Sequence, residues 1–452
     1  MLRWLFPACL WLAGTPLGAQ ETIAAQYRAT AERIIAAALA DSAAYARLAE
    51  LSDRFGHRFS GSDALERALD WILAEMRRDG LANVRGEPVM VPVWVRGEES
   101  AELVAPRAQR LPVLGLGGSV ATPPGGITAD VLVVGSFEEL TARAAEAHGK
   151  IVLFDVPFTT YGETVRYRSD GAVAAARAGA VASLIRSVTP NSQRSPHTGM
   201  MEYADSVARI PHAALTVEDA MMLHRMQDRG ERIVVRLRMN ARELPDRESR
   251  NVIGELVGRE RPDEVVVLGG HIDSWDVGQG AMDDGGGVVA AWEVLRVLTR
   301  LGLTPRRTIR VVGWTNEENG LRGGTAYRDA HRAVLDRHVL AIESDAGVFA
   351  PEGFGFTGSD AAFSLVQQVG TLLECIGAGR ITRGGGGADI GPIMREGVPG
   401  MGLDVDGTRY FWYHHTNGDT VDKLDPREMG LCVAAMAVMA YVVADWPERL
   451  PR

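Results

Sequence analysis

His271, Asp283, Glu318, Asp345 and His415 are five side chains able to ligate a metal, and Glu317 stands directly before one of them. The set contains His, Asp and Glu but no Cys. Nitrogen and oxygen ligands of this kind suit zinc in a catalytic rather than a structural site. Two metals sharing one bridging carboxylate would need about this number of ligands, leaving Glu317 free to act as a base. That combination points to metal-assisted hydrolysis. Taken singly, each residue has a plainer reading. A strand-end His or Asp is often a cap or a hydrogen-bonded loop residue, Glu317-Glu318 could be a solvated pair, and Asp283-Asp284 could only cap a helix. Their common placement carries the argument.

Each lies just past the carboxyl end of an apolar segment that reads as a strand. His271 ends EVVVLGGH (264–271), Glu317 and Glu318 follow TIRVVGWT (308–315), and Asp345 ends LAIESD (340–345). Open α/β sheets gather ligand sites at that edge, so residues distant in sequence converge. Asp283 closes the loop DSWDVGQGAM and precedes a helix opening at Gly285–Gly287, glycines that let the turn pack tightly against metals and sheet. His415, in FWYHHTNGDT, precedes a helix whose Asp425-Pro426-Arg427-Glu428 start supplies a cap and a proline at the first position. In His271-Ile272-Asp273 a carboxylate two residues on could accept the other imidazole N–H and fix the tautomer.

The strands alternate with amphipathic helices at 284–302 and 359–376, which predicts a mainly parallel sheet with helices on both faces. Ahead of it, residues 22–50 have apolar residues at helical spacing and read as a helix. A second helix follows, on which Asp63 and Glu66 resemble a capping box; a strand covers 91–95. From about 106 to 245 the texture changes to loops, short strands (131–135, 151–154) and a helix at 170–178. His197 and His212, scattered there, read as surface or capping histidines. Mixed short elements between two halves of something else predict an inserted domain. The expected division is a signal peptide over 1–19, a catalytic domain over 20–105 and 246–452, and the insert over 106–245.

The 452 residues, 46% hydrophobic, suffice for a large core. A formal charge of -10 without a basic block argues against a nucleic-acid partner. The start, MLRWLFPACLWLAGTPLGAQ, has Arg3, a short apolar run and small residues ending at Ala19, as a cleaved secretory signal does. That run is short of the ~20 residues a spanning helix needs, and no later segment reads as long and apolar enough to cross a bilayer. The expected localisation is secreted or periplasmic, with no stable membrane insertion after cleavage. Cys375 and Cys432 could form one disulfide or remain two buried thiols.

At GGHIDSWDVGQGAMDDGGG, NEENG, ESDAG, GVPG and YFWYHHTNGDT the chain resembles the co-catalytic zinc exopeptidases, the aminopeptidase-type family that also contains glutamate carboxypeptidases. RFSGS (58–62) resembles their N-terminal signature; GKIVLF, ARAGA and IPHAALTVEDA resemble a protease-associated domain. The resemblance implies the zinc exopeptidase fold with such an inserted domain. It implies two zinc ions per chain, one on His271, Asp283 and Asp345, the other on Asp283, Glu318 and His415. Glu317 would be the general base for a zinc-bound water, and Asp273 the orienter of His271. His414, where many relatives have Tyr, would either polarise the oxyanion or serve the structure alone, and Asp389, in GGGADIGPIMREGVPG, is expected to contact substrate. The implied substrate is a dipeptide or short peptide with free termini, as for a branch of dipeptide hydrolases. The alternatives are a general aminopeptidase, a non-catalytic receptor on the same fold, or a single-zinc acyltransferase of glutaminyl-cyclase type. Relatives imply a homodimer, to which no residue here points by itself.

Overall fold

Strand Arg261–His271 buries Val266 and Leu268 in one apolar core and Val265 and Val267 in another. Successive side chains on a strand point to opposite faces, so this run of valines needs cover on both. The computed structural model, which describes residues 22–191 and 193–452, supplies that cover. The expected signal peptide, residues 1–19, lies outside the described residues. An eight-stranded mixed sheet has the order 82–95, 242–256, 307–314, 261–271, 338–343, 400–405, 351–357, 380–383. Its four central strands are parallel and are joined on both sides by antiparallel pairings, while the last two strands, 351–357 and 380–383, run parallel to each other. Helices Ile23–Leu39, Asp63–Arg78, Gly286–Arg300 and Pro426–Asp445 pack on one face; Arg322–His331 and Gly391–Met394 contribute Tyr327 and Ile393 to the other.

Several local expectations shift. The segment read as one helix over 22–50 is two, Ile23–Leu39 and Ala43–Phe55, broken where the Asp41 carboxylate accepts the Ala43 N–H at 2.9 Å. The cap of Asp63–Arg78 is Ser62, whose hydroxyl accepts from the Leu65 N–H, so Asp63 is the first helical residue rather than the cap. Helix Pro426–Asp445 contradicts the reading that no later segment is apolar enough to span a bilayer: it has 20 residues, with a mean hydropathy of 1.6 over its most apolar 18. It is buried between the sheet and the helices Ile23–Leu39 and Gly286–Arg300, and a helix packed on all sides is apolar on all sides. Cys375 and Cys432 are free thiols, the first exposed and the second buried.

A second eight-stranded sheet takes all its strands from residues 99–239, in the order 109–111, 99–105, 234–239, 127–134, 151–154, 182–186, 212–215, 113–115. It carries its own apolar core on each face. The chain leaves the first sheet at Val95 and re-enters at Arg242, and these two residues pair with each other. His197 and His212 belong to this part and are both buried, not surface or capping residues. Burial pushes them down to about 3 and about 4 respectively, so both rings are neutral.

Candidate metal centre

The carboxyl ends of the central strands bring the five candidate ligands together. His271 is the last residue of its strand, Asp345 lies two residues past His338–Glu343, and Glu317 and Glu318 follow Arg307–Trp314. Asp283 enters on the turn Ala281–Gly285, ahead of helix Gly286–Arg300. Gly287 is needed here: a Cβ would lie 2.0 Å from the Ser344 carbonyl oxygen. The neighbouring Asp284 accepts the backbone N–H of His271 at 3.1 Å and of Gly287 at 3.0 Å, tying strand end to helix start.

Asp283 divides the cluster. Its Oδ1 lies 3.2 Å from His271 Nε2, and its Oδ2 lies 3.2 Å from His415 Nε2. Asp345 Oδ1 joins the first half, 3.3 Å from His271 Nε2; Glu318 Oε2 joins the second, 3.0 Å from His415 Nε2. Each imidazole Nδ1 faces a backbone carbonyl, Asp273 O at 2.8 Å for His271 and Thr198 O at 3.3 Å for His415. A carbonyl only accepts, so each Nδ1 carries the proton and each Nε2 of a neutral ring presents a lone pair. Those lone pairs point at carboxylate oxygens, which also only accept. A cation between them is the arrangement that satisfies both sides, and Glu318 Oε1 is a further buried oxygen without a hydrogen-bond partner among the described residues. The donor set therefore fits zinc on both sides of Asp283. Without metal the rings take protons instead. Against the opposing effect of burial, the carboxylates of Glu318 and Asp283 hold His415 up to about 10, and those of Asp345 and Asp283 hold His271 well above its usual value.

Asp273 does not act through its carboxylate on His271 as expected: Oδ1 is 3.9 Å from Nδ1, and the residue's own carbonyl takes that N–H. The carboxylate is occupied elsewhere. It accepts the backbone N–H groups of Glu317 (3.1 Å) and Glu318 (3.4 Å) and the Ser60 hydroxyl (3.2 Å), which fixes the glutamate pair. Glu317 lines the cleft, and its carboxylate has no hydrogen-bond partner among the described residues. Burial, then the carboxylates of Asp345, Glu318 and Asp283, hold its carboxyl well above the usual range despite His271.

His414 stacks on His415 with ring centroids 3.5 Å apart, its Nε2 3.6 Å from Asp283 Oδ2. Asp389 is 1% exposed and does not line the cleft; its backbone N–H donates to Glu343 Oε1, and its carboxylate oxygens have no hydrogen-bond partner among the described residues. Burial, then Glu343 and Glu317, push its carboxyl well above the usual range.

Three functional side chains escaped sequence reasoning. Asp419, within the HTNGDT stretch, holds the turn that carries Asp283. Arg58, within RFSGS, is fully buried and donates to the carbonyls of Ile272, Gln279 and Gly280, clamping the 272–282 loop. Arg168 comes from the part of the chain that builds the second sheet. With Tyr161 and Met200 it forms one wall of a cleft of about 570 Å³ whose other wall holds Asp283, Glu317 and Asp345. It is 7% exposed and donates to the Tyr161 hydroxyl and the Met200 and Thr198 carbonyls, with no carboxylate partner among the described residues. No local pattern marks it.

Comparisons with known proteins bear on the family and the fold. Residues 251–440 match the model of Peptidase family M28. Carboxypeptidase Q of Mus musculus is 49% identical over 408 residues, covering 90% of this chain and 87% of the relative. Carboxypeptidase Q of Homo sapiens is 49% identical over 413 residues, with 91% and 88% covered. Among solved structures, the Peptidase M28 precursor from Shewanella amazonensis SB2B superposes with a TM-score of 0.91 at 37% identity, covering 94% of this chain and 98% of that one. A zinc aminopeptidase from Bacillus subtilis shares the fold at a TM-score of 0.67 and 21% identity, with 90% and 96% covered.

Proposed function

The chain belongs to peptidase family M28 as a carboxypeptidase Q-like zinc exopeptidase, and from that premise we propose that it is a dizinc enzyme hydrolysing dipeptides and short peptides with both termini free. The observation that carries the two-metal reading is the division of Asp283 between two histidines. His271, Asp345 and Asp283 would hold one zinc and His415, Glu318 and Asp283 the other, and the chemistry so supplied would be Lewis acidity toward a water and the scissile carbonyl.

The chain's own residues do the rest. Glu317 faces the cleft with its carboxylate uncommitted; it accepts the proton of the attacking water and returns it to the leaving amine. Asp273 keeps it in place through its peptide N–H. Asp283 stays ionised between the two histidines, and His414 packs beside it. Arg168 supports the preference for a free C-terminus: a buried guanidinium without an acidic partner is costly unless an anion meets it, and a substrate α-carboxylate supplies that anion bidentately. The inserted domain, protease-associated in type, closes that side of the cleft and excludes long chains. In the same reading the protein is exported by its signal-like N-terminus and works as a homodimer.

The test compares kcat/KM for a free dipeptide, its N-acetylated and C-amidated forms, and a pentapeptide, with metal-stripped and zinc-restored protein alongside. The free dipeptide should lead by a wide margin, and stripping should abolish turnover until zinc returns. Equal rates on the pentapeptide or on an aminoacyl anilide would make the protein a general aminopeptidase.

A further inference from the structure

His415 has a positive φ of 60°, unusual outside glycine, and the inserted domain holds it there. The Thr198 N–H donates to the His415 carbonyl at 3.0 Å, and the Thr198 carbonyl accepts from His415 Nδ1 at 3.3 Å. The same carbonyl accepts from Arg168 Nη1 at 3.4 Å, while Arg168 Nε donates to the Met200 carbonyl at 3.2 Å. Between them Gly199 has φ +136°, and a Cβ on it would lie 2.3 Å from Arg168 Nη1. Thr198 Oγ1 donates to the Gly115 carbonyl at 3.0 Å and accepts from Arg96 Nη2 at 3.2 Å. Arg96 in turn pairs with Asp276 on the loop leading to Asp283. The orienting group of His271, by contrast, is the carbonyl of Asp273, two residues away on the same strand end.

We propose that the segment Thr198–Met200 of the inserted domain is a working part of the metal centre, setting the metal ligand His415 and the carboxylate anchor Arg168 through one shared carbonyl, that of Thr198. This rests on the dizinc reading of the site. The two halves of the centre then differ in kind. The half made by His271, Asp345 and Asp283 Oδ1 is held within the catalytic domain. The half made by His415, Glu318 and Asp283 Oδ2 is complete only when the inserted domain is seated. Groups that orient a metal-bound imidazole through its second nitrogen change metal affinity typically 10–100-fold. Thr198 and Gly199 are accordingly positioning residues, acting through His415 and Arg168.

The experiment is zinc titration of the full chain against a competing chelator, for the wild type, Gly199→Ala and Thr198→Pro. The first variant forces the strap off Arg168; the second deletes the N–H given to His415. Expected is a selective loss: one zinc weakened about 10–100-fold, the other held within a factor of about two. KM should rise for a free dipeptide but not for its C-amide. Both zincs retained at wild-type affinity in both variants, or both weakened alike, would overturn the proposal. One measurement needs no variant: nitrogen-15 histidine spectra of the zinc-loaded wild type should show His415 protonated at Nδ1, and metal on Nδ1 overturns it. A wild-type chain that binds fewer than two zincs, or leaves free dipeptides intact, defeats the dizinc dipeptidase reading itself.

Discussion

Asp419 holds Asp283 by its backbone: Oδ2 accepts the Asp283 N–H at 3.2 Å, while Oδ1 accepts those of Ala281 (3.1 Å) and Met282 (2.7 Å). Three successive donors on one buried carboxylate fix the turn that aims the bridging side chain. Asp419→Ala should therefore weaken both zincs together, by about 10–100-fold, because Asp283 belongs to both halves. Chelator competition checks it, and a selective loss of one zinc would contradict the bridging role of Asp283.

Glu317→Gln should retain both zincs and the fold while losing most turnover. The amide still hydrogen-bonds to water but cannot accept its proton, and loss of a general base typically costs ~10²–10⁴-fold in rate. Metal content and kcat measured on one preparation decide the matter. A variant that loses its metal, or keeps its rate, would remove Glu317 from the role of base.

Metal-free protein should lose stability as pH rises. Burial pushes Glu318 and Asp419 up to about 7, from ordinary values of 4.5 and 3.8, so each takes a proton on folding and destabilises the fold as pH climbs from about 4 to 7. His415, raised from 6.5 to about 10, gives a contribution complete below 6.5 and lost on the way to 10. The two effects have the same sign; His197 and His212, held neutral by burial, oppose them only below pH 6.5, a narrower interval than the others span. Urea unfolding of chelated protein at pH 5.5 and pH 9 should show the higher midpoint at pH 5.5. Zinc competes for the same nitrogens and oxygens, so its affinity should rise over that interval.

Arg168→Ala should raise KM for a free dipeptide by about 10–100-fold, the range for a hydrogen bond to a charged group, and leave the C-amidated peptide unaffected. Steady-state kinetics on the matched pair provide the check. An equal effect on both substrates would mean that the guanidinium supports the cleft wall rather than the α-carboxylate.

Of the side chains that converge at Asp283, His271, Glu318 and Asp345 were legible because each follows a strand end, where apolar runs of Val, Ile and Leu announce themselves locally, whereas His415 stands in a loop ahead of a helix. The glycines of 285–287 were legible for the same reason, since close packing after a strand leaves a compositional trace. Asp273 was legible as a site residue, but not its mode of action. Residue spacing cannot tell whether the carbonyl or the carboxylate faces His271, and the peptide N–H groups of the glutamates settled it. Helix Pro426–Asp445 hid its burial behind a composition that suits lipid equally well. Arg168 left no trace at all. Its role exists only where the inserted domain meets the catalytic cleft, and an arginine among Arg166, Tyr167 and Ser169 reads as one more surface charge.

The pairing of Val95 with Arg242 gives the long inserted domain the topology of a hairpin loop. Strands Ala82–Val95 and Arg242–Leu256 run antiparallel from Ala82↔Glu255 to the point where the chain departs. Closure entropy grows only logarithmically with loop length, about 0.6 kcal/mol per doubling. A loop that first folds on its own core presents its two ends side by side, which makes it shorter still in effect. The catalytic sheet can thus nucleate across the gap almost as though a tight turn joined its first two strands. The same economy has a reverse side: loosening the inserted domain lengthens that loop and slackens the sheet edge and the Thr198 contact together, so folding and metal retention share one weak point.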